Sequence, residues 1–528
     1  MSSTALAASA TLLRLNCEAK HQGRLFPDFS RGRGSKISLF ASSQRKSYQF
    51  VVASSASVGN GGVAEMSEAE SAPRYYSWPD EKKPRVCILG GGFGGLFTAL
   101  RLESLVWPDD KKPQVLLVDQ SEHFVFKPML YELLSGEVDA WEIAPRFSDL
   151  LANTSVLFLQ DKVKLLYPSD HLVMNGPAKS SAGGSVLLES GLLIEYDWLV
   201  LSLGAEAKLD VVPGALEYAL PFVSMEDARK VDLRLTKLER RKFSKESLIR
   251  VVVVGCGYAG VELAATVSER LQDRGLVQAI NVENTICPNA PPGNREAASK
   301  VLSSRKVELL LGYFVRCIRQ VVDTEASEKH DIGKYILELQ PTEKGLQSQT
   351  VEADLVLWTV GSKSLLPHLE PGNRRGALPL NGRGQAETDE TLRVNGHPRI
   401  FAVGDSSALR ESNGRLLPAT AQVAFQQADF AGWNLWAAIN NRPLLPFRFQ
   451  NLGEMIVLGR NDAAISPSFI EGLTLDGPLG HTARKLAYLI RLPTDEHRLK
   501  VGISWLTKSA IDSVASLQST LTKVISNS

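Results

Sequence analysis

The sequence predicts an α/β protein with two Rossmann-like dinucleotide-binding units, the second inserted into the first, and a C-terminal region that contacts a membrane. Three observations carry that reading. Two turns of the form G-x-G-x-x-G, GGGFGG from Gly90 and GCGYAG from Gly255, each follow an apolar run and open a helix-like stretch. Each of those stretches leads into a second apolar run that ends at an acid, Asp119 or Glu283. A later run, RIFAVGD, places Gly404 and Asp405 at a strand end.

The chain of 528 residues is long enough for three to four domains at roughly 150 residues each. Residues 1–64 hold eight basic side chains (Arg14, Lys20, Arg24, Arg31, Arg33, Lys36, Arg45, Lys46) against Glu18 and Asp28, are rich in Ser and Ala, and lack a continuous apolar core. That composition reads as an organellar transit peptide, assigned to 1–53, with a disordered tail as the alternative. MSSTALAASA and SSQRKS favour a plastid, with a mitochondrion second. Residues 54–83 turn to Ser, Gly, Glu and Pro and read as a linker.

In the first unit, PRVCILG (84–90) enters the turn, LFTALRLESLVW continues it and QVLLVD ends at Asp119. Gly90 permits the tight turn, Gly92 lets backbone approach a pyrophosphate, and Gly95 with Ala99 lets helix and strand pack closely. Free N–H groups at the helix start would then face the phosphates. Asp119, 24 residues past Gly95, stands where a carboxylate accepts hydrogen bonds from a ribose diol. DWLVLSLG (197–204) closes the unit.

The second unit repeats the pattern. LIRVVVVG leads into the turn, then VELAATVSERLQDRG, then QAINVE, so that Gly255, Gly257, Gly260, Ala264 and Glu283 match the first set, with the acid 23 residues past Gly260. ADLVLWTVG (353–361) closes it. Two such units imply two dinucleotides. Other G-x-G pairs, at Gly32, Gly59 and Gly382, lack this flanking pattern. A carboxylate at Glu283 would repel a 2′-phosphate by about 1 to 4 kcal/mol per charge at 4 Å, which favours NADH. Arg295 lies nearby in sequence, so the expected donor is NADH or NADPH. The expected division is 84–206 and 377–440 for the first domain, 207–376 for the inserted one and 441–528 for the C-terminal region.

Composition excludes several classes. Lys plus Arg is 59 and Asp plus Glu is 58, a net charge of +1, so no nucleic-acid partner is expected. The five cysteines (Cys17, Cys87, Cys256, Cys287, Cys317) form no close sequence pair, which removes zinc ribbons and a sequence-local redox dithiol, and no metal site is expected. No apolar run approaches the 18 residues of a spanning helix, so membrane contact must be peripheral.

The order of the units resembles that of glutathione-reductase-like flavoproteins, in which the nicotinamide domain is inserted in the flavin domain. That resemblance implies FAD at the first turn, with Asp405 on its ribityl chain after Gly404, and the nicotinamide cofactor at the second. Over about Pro84 to Trp505 the chain more narrowly resembles the type II (alternative) NAD(P)H:quinone oxidoreductases, most closely the plant C-type members. The resemblance rests on both turns, HFVFKPMLYELLSGEV (123–138), VGDSSA (403–408) and PATAQVAFQQADFAGWNL (418–435). It implies that Ala421, Gln422, Ala424 and Gln426 lie against the flavin and line a quinone tunnel, and that Glu262 lies near nicotinamide and flavin. An exposed first-turn acid is the alternative for Glu262, and a polar solvent-facing stripe for the glutamines. No D-x-D-x-D-G loop occurs, so calcium control is not expected.

The expected partner is a lipid-soluble quinone (plastoquinone, ubiquinone or a phylloquinone-type naphthoquinone) at a thylakoid, plastoglobule or mitochondrial surface. From Leu479 to Leu492, Leu479, Ala483, Leu486 and Ile490 form a stripe with Arg484, Lys485 and Arg491 beside it, the pattern of an interfacial basic helix whose cations meet anionic lipid. Ile511, Val514, Leu517, Leu521, Val524 and Ile525 form a second stripe. A homodimer interface or ordinary core helices are the alternatives. The competing functional readings are a reductase of a soluble acceptor and a low-turnover flavin redox sensor.

Overall fold

A computed structural model describes residues 74–108, 110–168, 183–241, 248–321, 334–343, 347–366, 368–369 and 378–526, with side chains described no further than 511. The expected transit peptide and most of the linker lie outside the described residues.

The first unit runs β1 (Arg85–Leu89), α1 (Phe93–Ser104), β2 (Gln114–Asp119), α2 (Leu130–Ser135), β3 (Leu157–Gln160) and β4 (Trp198–Leu201). Strand β1 is apolar at Val86, Cys87, Ile88 and Leu89, all buried, as a strand covered on both faces must be. It pairs in parallel with β2 (Leu89 opposite Val118) and with β4 (Leu89 opposite Leu201).

The second unit runs β5 (Ala219–Pro221), α3 (Met225–Arg241), β6 (Ile249–Val254), α4 (Tyr258–Leu271), β7 (Gly275–Asn281), α5 (Pro292–Ser304), β8 (Glu308–Leu311) and β9 (Leu355–Trp358). Its parallel sheet has the order β5-β9-β6-β7-β8. Closing strand, glycine strand and acid strand thus stand in the same order as β4-β1-β2 of the first sheet. One expectation is corrected: β7 stops at Asn281, two residues short of Glu283, which sits on the exposed loop beyond.

The chain then returns. Strand β10 (His397–Ala402) pairs in parallel with β4, Phe401 opposite Val200, and delivers Gly404 and Asp405 to the same sheet edge as the first turn. Helix α6 (Ala421–Ile439) crosses α1 closely, through small residues. A Cβ on Gly432 would lie 2.6 Å from the Arg101 side chain, and the Thr98 hydroxyl donates to the Ala428 carbonyl at 3.3 Å.

A hairpin, β11 (Gly453–Val457) and β12 (Ala463–Pro467), follows, then α7 (Gly477–Arg491) and α8 (Asp495–Ser526). No helix among the described residues is long and apolar enough to cross a membrane. Helix α7 carries the expected apolar stripe outward, with Leu479 59%, Leu486 47% and Ile490 47% exposed. Its basic residues overturn the expectation. Arg484 is 1% exposed and ion-paired with Glu132 of α2, Lys485 reaches Glu137 at 3.7 Å, and the Arg491 guanidinium lies 4.7 Å from the Phe425 ring. Arg484 and Lys485 therefore turn toward the protein interior, because buried carboxylates on α2 and just after it need counter-charges. Of the second stripe only Ile511 has a described side chain, and it is exposed.

Candidate active site

The two glycine turns are near copies. Gly90 and Gly255 adopt φ of 97° and 101°, a region that L side chains rarely enter. Their N–H groups donate to Val118 O and Ile280 O, each at 2.8 Å. A Cβ on Gly95 would lie 1.8 Å from Gly90 O, and one on Gly260 1.9 Å from Gly255 O. Packing requires glycine at those places. It does not require Gly92 or Gly257, where a Cβ would meet no atom within 4 Å. Both stand at the N-cap of their helix, and the open ground before them fits the phosphates of a dinucleotide.

A hydroxyl locks each turn. Ser202 donates to Leu89 O (2.8 Å) and Gly90 O (2.9 Å), and Thr359 to Val254 O (2.9 Å) and Gly255 O (3.3 Å). These residues went unrecognised in the sequence, although the signal is there: a hydroxyl two positions before Gly204 and before Gly361.

The register also decides which residue of β7 corresponds to Asp119. Since Val118 and Ile280 accept the equivalent bonds, Asp119 corresponds to Asn281. Asp119 Oδ2 accepts from Gly91 N at 2.6 Å, and Asn281 Oδ1 accepts from Cys256 N at 3.3 Å. The second turn therefore has a neutral amide where the first has a carboxylate.

Asp119 and Asp405 both feel the charge of Lys127. Burial pushes both carboxyls up, and the exposed Lys127 ammonium opposes that shift at each. Gln427, buried in α6, accepts from Gly404 N at 2.6 Å and so holds the Gly-Asp turn, and the Ser406 hydroxyl beside it is buried without a partner. Helix α6 begins at Ala421 with Thr420 as its cap, accepting from Val423 N at 3.2 Å. Gln422 and Gln426 are engaged with backbone. Gln422 accepts from Leu452 N (3.0 Å) and donates to Gly453 O (3.1 Å), and Gln426 accepts from Gln450 N (3.0 Å) and donates to Gln450 O (2.8 Å). They clamp segment 450–453 onto α6, each keeping one amide N–H for another acceptor.

Segment 450–453 leads into the hairpin, which lies over the start of α4. Glu262 Oε1 accepts from Val457 N at 3.0 Å, and Tyr258 donates to Glu454. Glu262 is thus no exposed first-turn acid. Burial raises its carboxyl to about 8, partly offset by the Val457 N–H, the Arg484 charge and a bond from Tyr131. Cys256 and Cys287, 31 apart in sequence, meet here, Cys287 N donating to Cys256 O at 2.7 Å. Burial pushes both thiols up to about 12, so neither is a thiolate near neutral pH. Among the described residues no cluster could hold a metal ion.

Comparison with known proteins supplies four findings. Residues 84–428 match the family model described as pyridine nucleotide-disulphide oxidoreductase. The chain is 70% identical to the alternative NAD(P)H-ubiquinone oxidoreductase C1, chloroplastic/mitochondrial, of Arabidopsis thaliana, over 94% of this chain and 95% of that one. It is 40% identical to the demethylphylloquinone reductase NdbB of a Synechocystis species, over 81% of this chain and 97% of that one. Among solved structures, the NDH2 of Plasmodium falciparum in complex with NADH shares the fold, with a TM-score of 0.64 at 18% identity, covering 81% of this chain and 98% of that chain.

Glu262 makes stability depend on pH. Its folded value near 8 lies above its ordinary 4.5, so the folded state holds the extra proton. Its contribution is fully present below about pH 4.5 and is lost as pH rises toward 8. Glu262→Gln removes that slope: between pH 6 and pH 9 the melting temperature of the variant should fall less than that of the wild type, by calorimetry. Equal falls would place the titrating group elsewhere.

Proposed function

We propose that this chain, which belongs to the pyridine nucleotide-disulphide oxidoreductase family and within it to the type II (alternative) NAD(P)H:quinone oxidoreductases, oxidises NAD(P)H on a bound FAD and reduces a lipid-soluble quinone. The observation that carries this reading is the doubled glycine turn, two cradles of one geometry on two parallel sheets. The names of the two relatives attach an NAD(P)H donor and quinone acceptors to the same chain organisation. The plant relative's name carries a chloroplastic/mitochondrial location, which supports assigning this chain to the chloroplast, with the mitochondrion second; its place at a membrane surface is part of the proposal.

FAD is assigned to 84–206 and 377–440, held by Gly90, Gly92, Gly95, Asp119, Gly404, Asp405, Ala421 and Gln422. The nicotinamide dinucleotide is assigned to 207–376, held by Gly255, Gly257 and Gly260, with Asn281 and Glu283 near its ribose. When bound, FAD would supply the two-electron redox chemistry that links nicotinamide to quinone. The protein positions and solvates. Helix α6 aims its free N–H groups, those not used by Thr420, toward the Gly404–Asp405 cleft, where they stabilise negative charge. Gln422 and Gln426 offer their remaining amide N–H groups to a quinone carbonyl. Glu262, a neutral acid near pH 7, holds a proton beside the site. The outward residues Leu479, Leu486, Ile490, Leu499, Ile503, Leu506 and Ile511 form the face that meets lipid, from residues 441–528.

The direct test is an anaerobic titration. The purified yellow protein should bleach with NADH or NADPH and recover its colour with a prenylquinone analogue; a colourless preparation, or one that never bleaches, ends the reading. Gly92→Val should fold, since its Cβ meets no protein atom, yet be recovered without flavin.

Asn281→Asp should lower the NADPH/NADH ratio of kcat/KM by about tenfold, the effect of roughly 1.4 kcal/mol of repulsion at a 2′-phosphate. Glu283→Gln, beyond the strand end, should change it less. The reverse ranking would return the discrimination to Glu283.

Leu486→Glu with Ile490→Glu should leave turnover of a water-soluble quinone analogue intact and release the protein from liposomes in a flotation assay. Retained flotation, or loss of a dimer in sedimentation instead, would reassign this face.

A further inference from the structure

Helix α7 is inside out. Its solvent face is apolar, while His481, Arg484, Lys485 and Tyr488, spaced to share one side of a helix, face inward onto α2 and the residues after it. There Arg484 pairs with Glu132, both 1% exposed, and its guanidinium lies 5.2 Å from the Tyr488 ring. His481 Nε2 lies 3.4 Å and Lys485 Nζ 3.7 Å from Glu137 Oε1. A buried ion pair is costly to desolvate and rarely a net source of stability, so its presence at full burial asks for another reason.

The reason lies beside the pair. Glu262, half-buried on α4, feels Tyr131 and Glu132 from α2 and Arg484 from α7, and accepts Val457 N–H from β11. Tyr488 of α7 and Cys287, after β7, interact with it in turn. Glu132 and Arg484 oppose each other: the carboxylate favours the protonated form of Glu262 and the guanidinium the ionised form. We propose that Arg484 is a positioning residue of the quinone-reducing site, which together with Glu132 sets how readily Glu262 gives up its proton.

The chemistry needs such a setting. A quinone becomes a quinol by gaining a hydride equivalent and a proton. NAD(P)H is the source of the hydride equivalent, and the proton comes from an acid of the protein that is refilled from water. An acid that holds its proton too tightly cannot give it, and one already ionised has none to give. This inference rests on the reading of Glu262 as that acid.

The test follows Glu262 in the holoenzyme by infrared titration, using the carboxyl band that disappears in Glu262→Gln, alongside the pH profile of flavin reoxidation by a soluble quinone analogue. Glu132→Gln should lower the midpoint and Arg484→Met raise it, each by about one pH unit, a tenfold change in proton affinity. Arg484→Lys should stay near wild type. Where Arg484→Met fails to fold, Glu132→Gln/Arg484→Met, which leaves no unpaired charge in the pair, replaces it, and its midpoint should lie about tenfold in affinity above that of Glu132→Gln. Midpoints that do not move, or that move in the same direction for both charges, overturn the proposal. If the flavin fails to pass electrons to quinone in the wild type, the functional reading falls, and the infrared midpoints still decide whether Arg484 governs Glu262.

Discussion

The structure depends on a close approach. A helix that begins directly on a strand-ending turn must start almost against that turn, and at Gly95 and Gly260 even one methyl group would lie under 2 Å from a backbone oxygen. Glycine there fixes where α1 and α4 begin. That in turn fixes the direction of their free N–H groups and leaves open ground at Gly92 and Gly257. Everything polar in the two cradles is arranged around that fixed start: the hydroxyls of Ser202 and Thr359 tie the turn to the neighbouring strand, and Asp119 and Asn281 tie it from the other side.

What was legible in the sequence is what has a short period or a fixed spacing. The apolar runs of β1, β6 and β9, the glycine turns and the closing strands all read correctly, because each is a local pattern with a local cause. Glu283 shows the limit. Spacing from the third glycine pointed to it, but helix and loop lengths differ between the two units, and only the strand register identifies Asn281 as the partner of Asp119. Gln422 and Gln426 show another. Their shared helix face is visible in the sequence, while their bonds to Leu452, Gly453 and Gln450 depend on a segment that arrives some 24 to 31 residues later. The pairing of Cys256 with Cys287 was invisible for the same reason, and burial of both thiols still leaves them unsuited to carry electrons.

The cations of helix α7, not its outward apolar stripe, departed from expectation, and for a physical rather than a statistical reason. An amphipathic pattern specifies two faces and not which of them points inward. The usual assumption, greasy side in, holds when the surroundings are water. Here the side with the cations is held by Glu132 and Glu137, which pair with Arg484 and Lys485. Once those pairs form, the stripe of Leu479, Leu486 and Ile490 has to face out, where water would make it unfavourable by about 25 cal/mol per Å² of apolar area. A lipid surface removes that penalty. The same ion pairs that turn the cations inward also put the Arg484 charge where it acts on Glu262, so the outward apolar stripe and the proposed tuning of that acid have one origin.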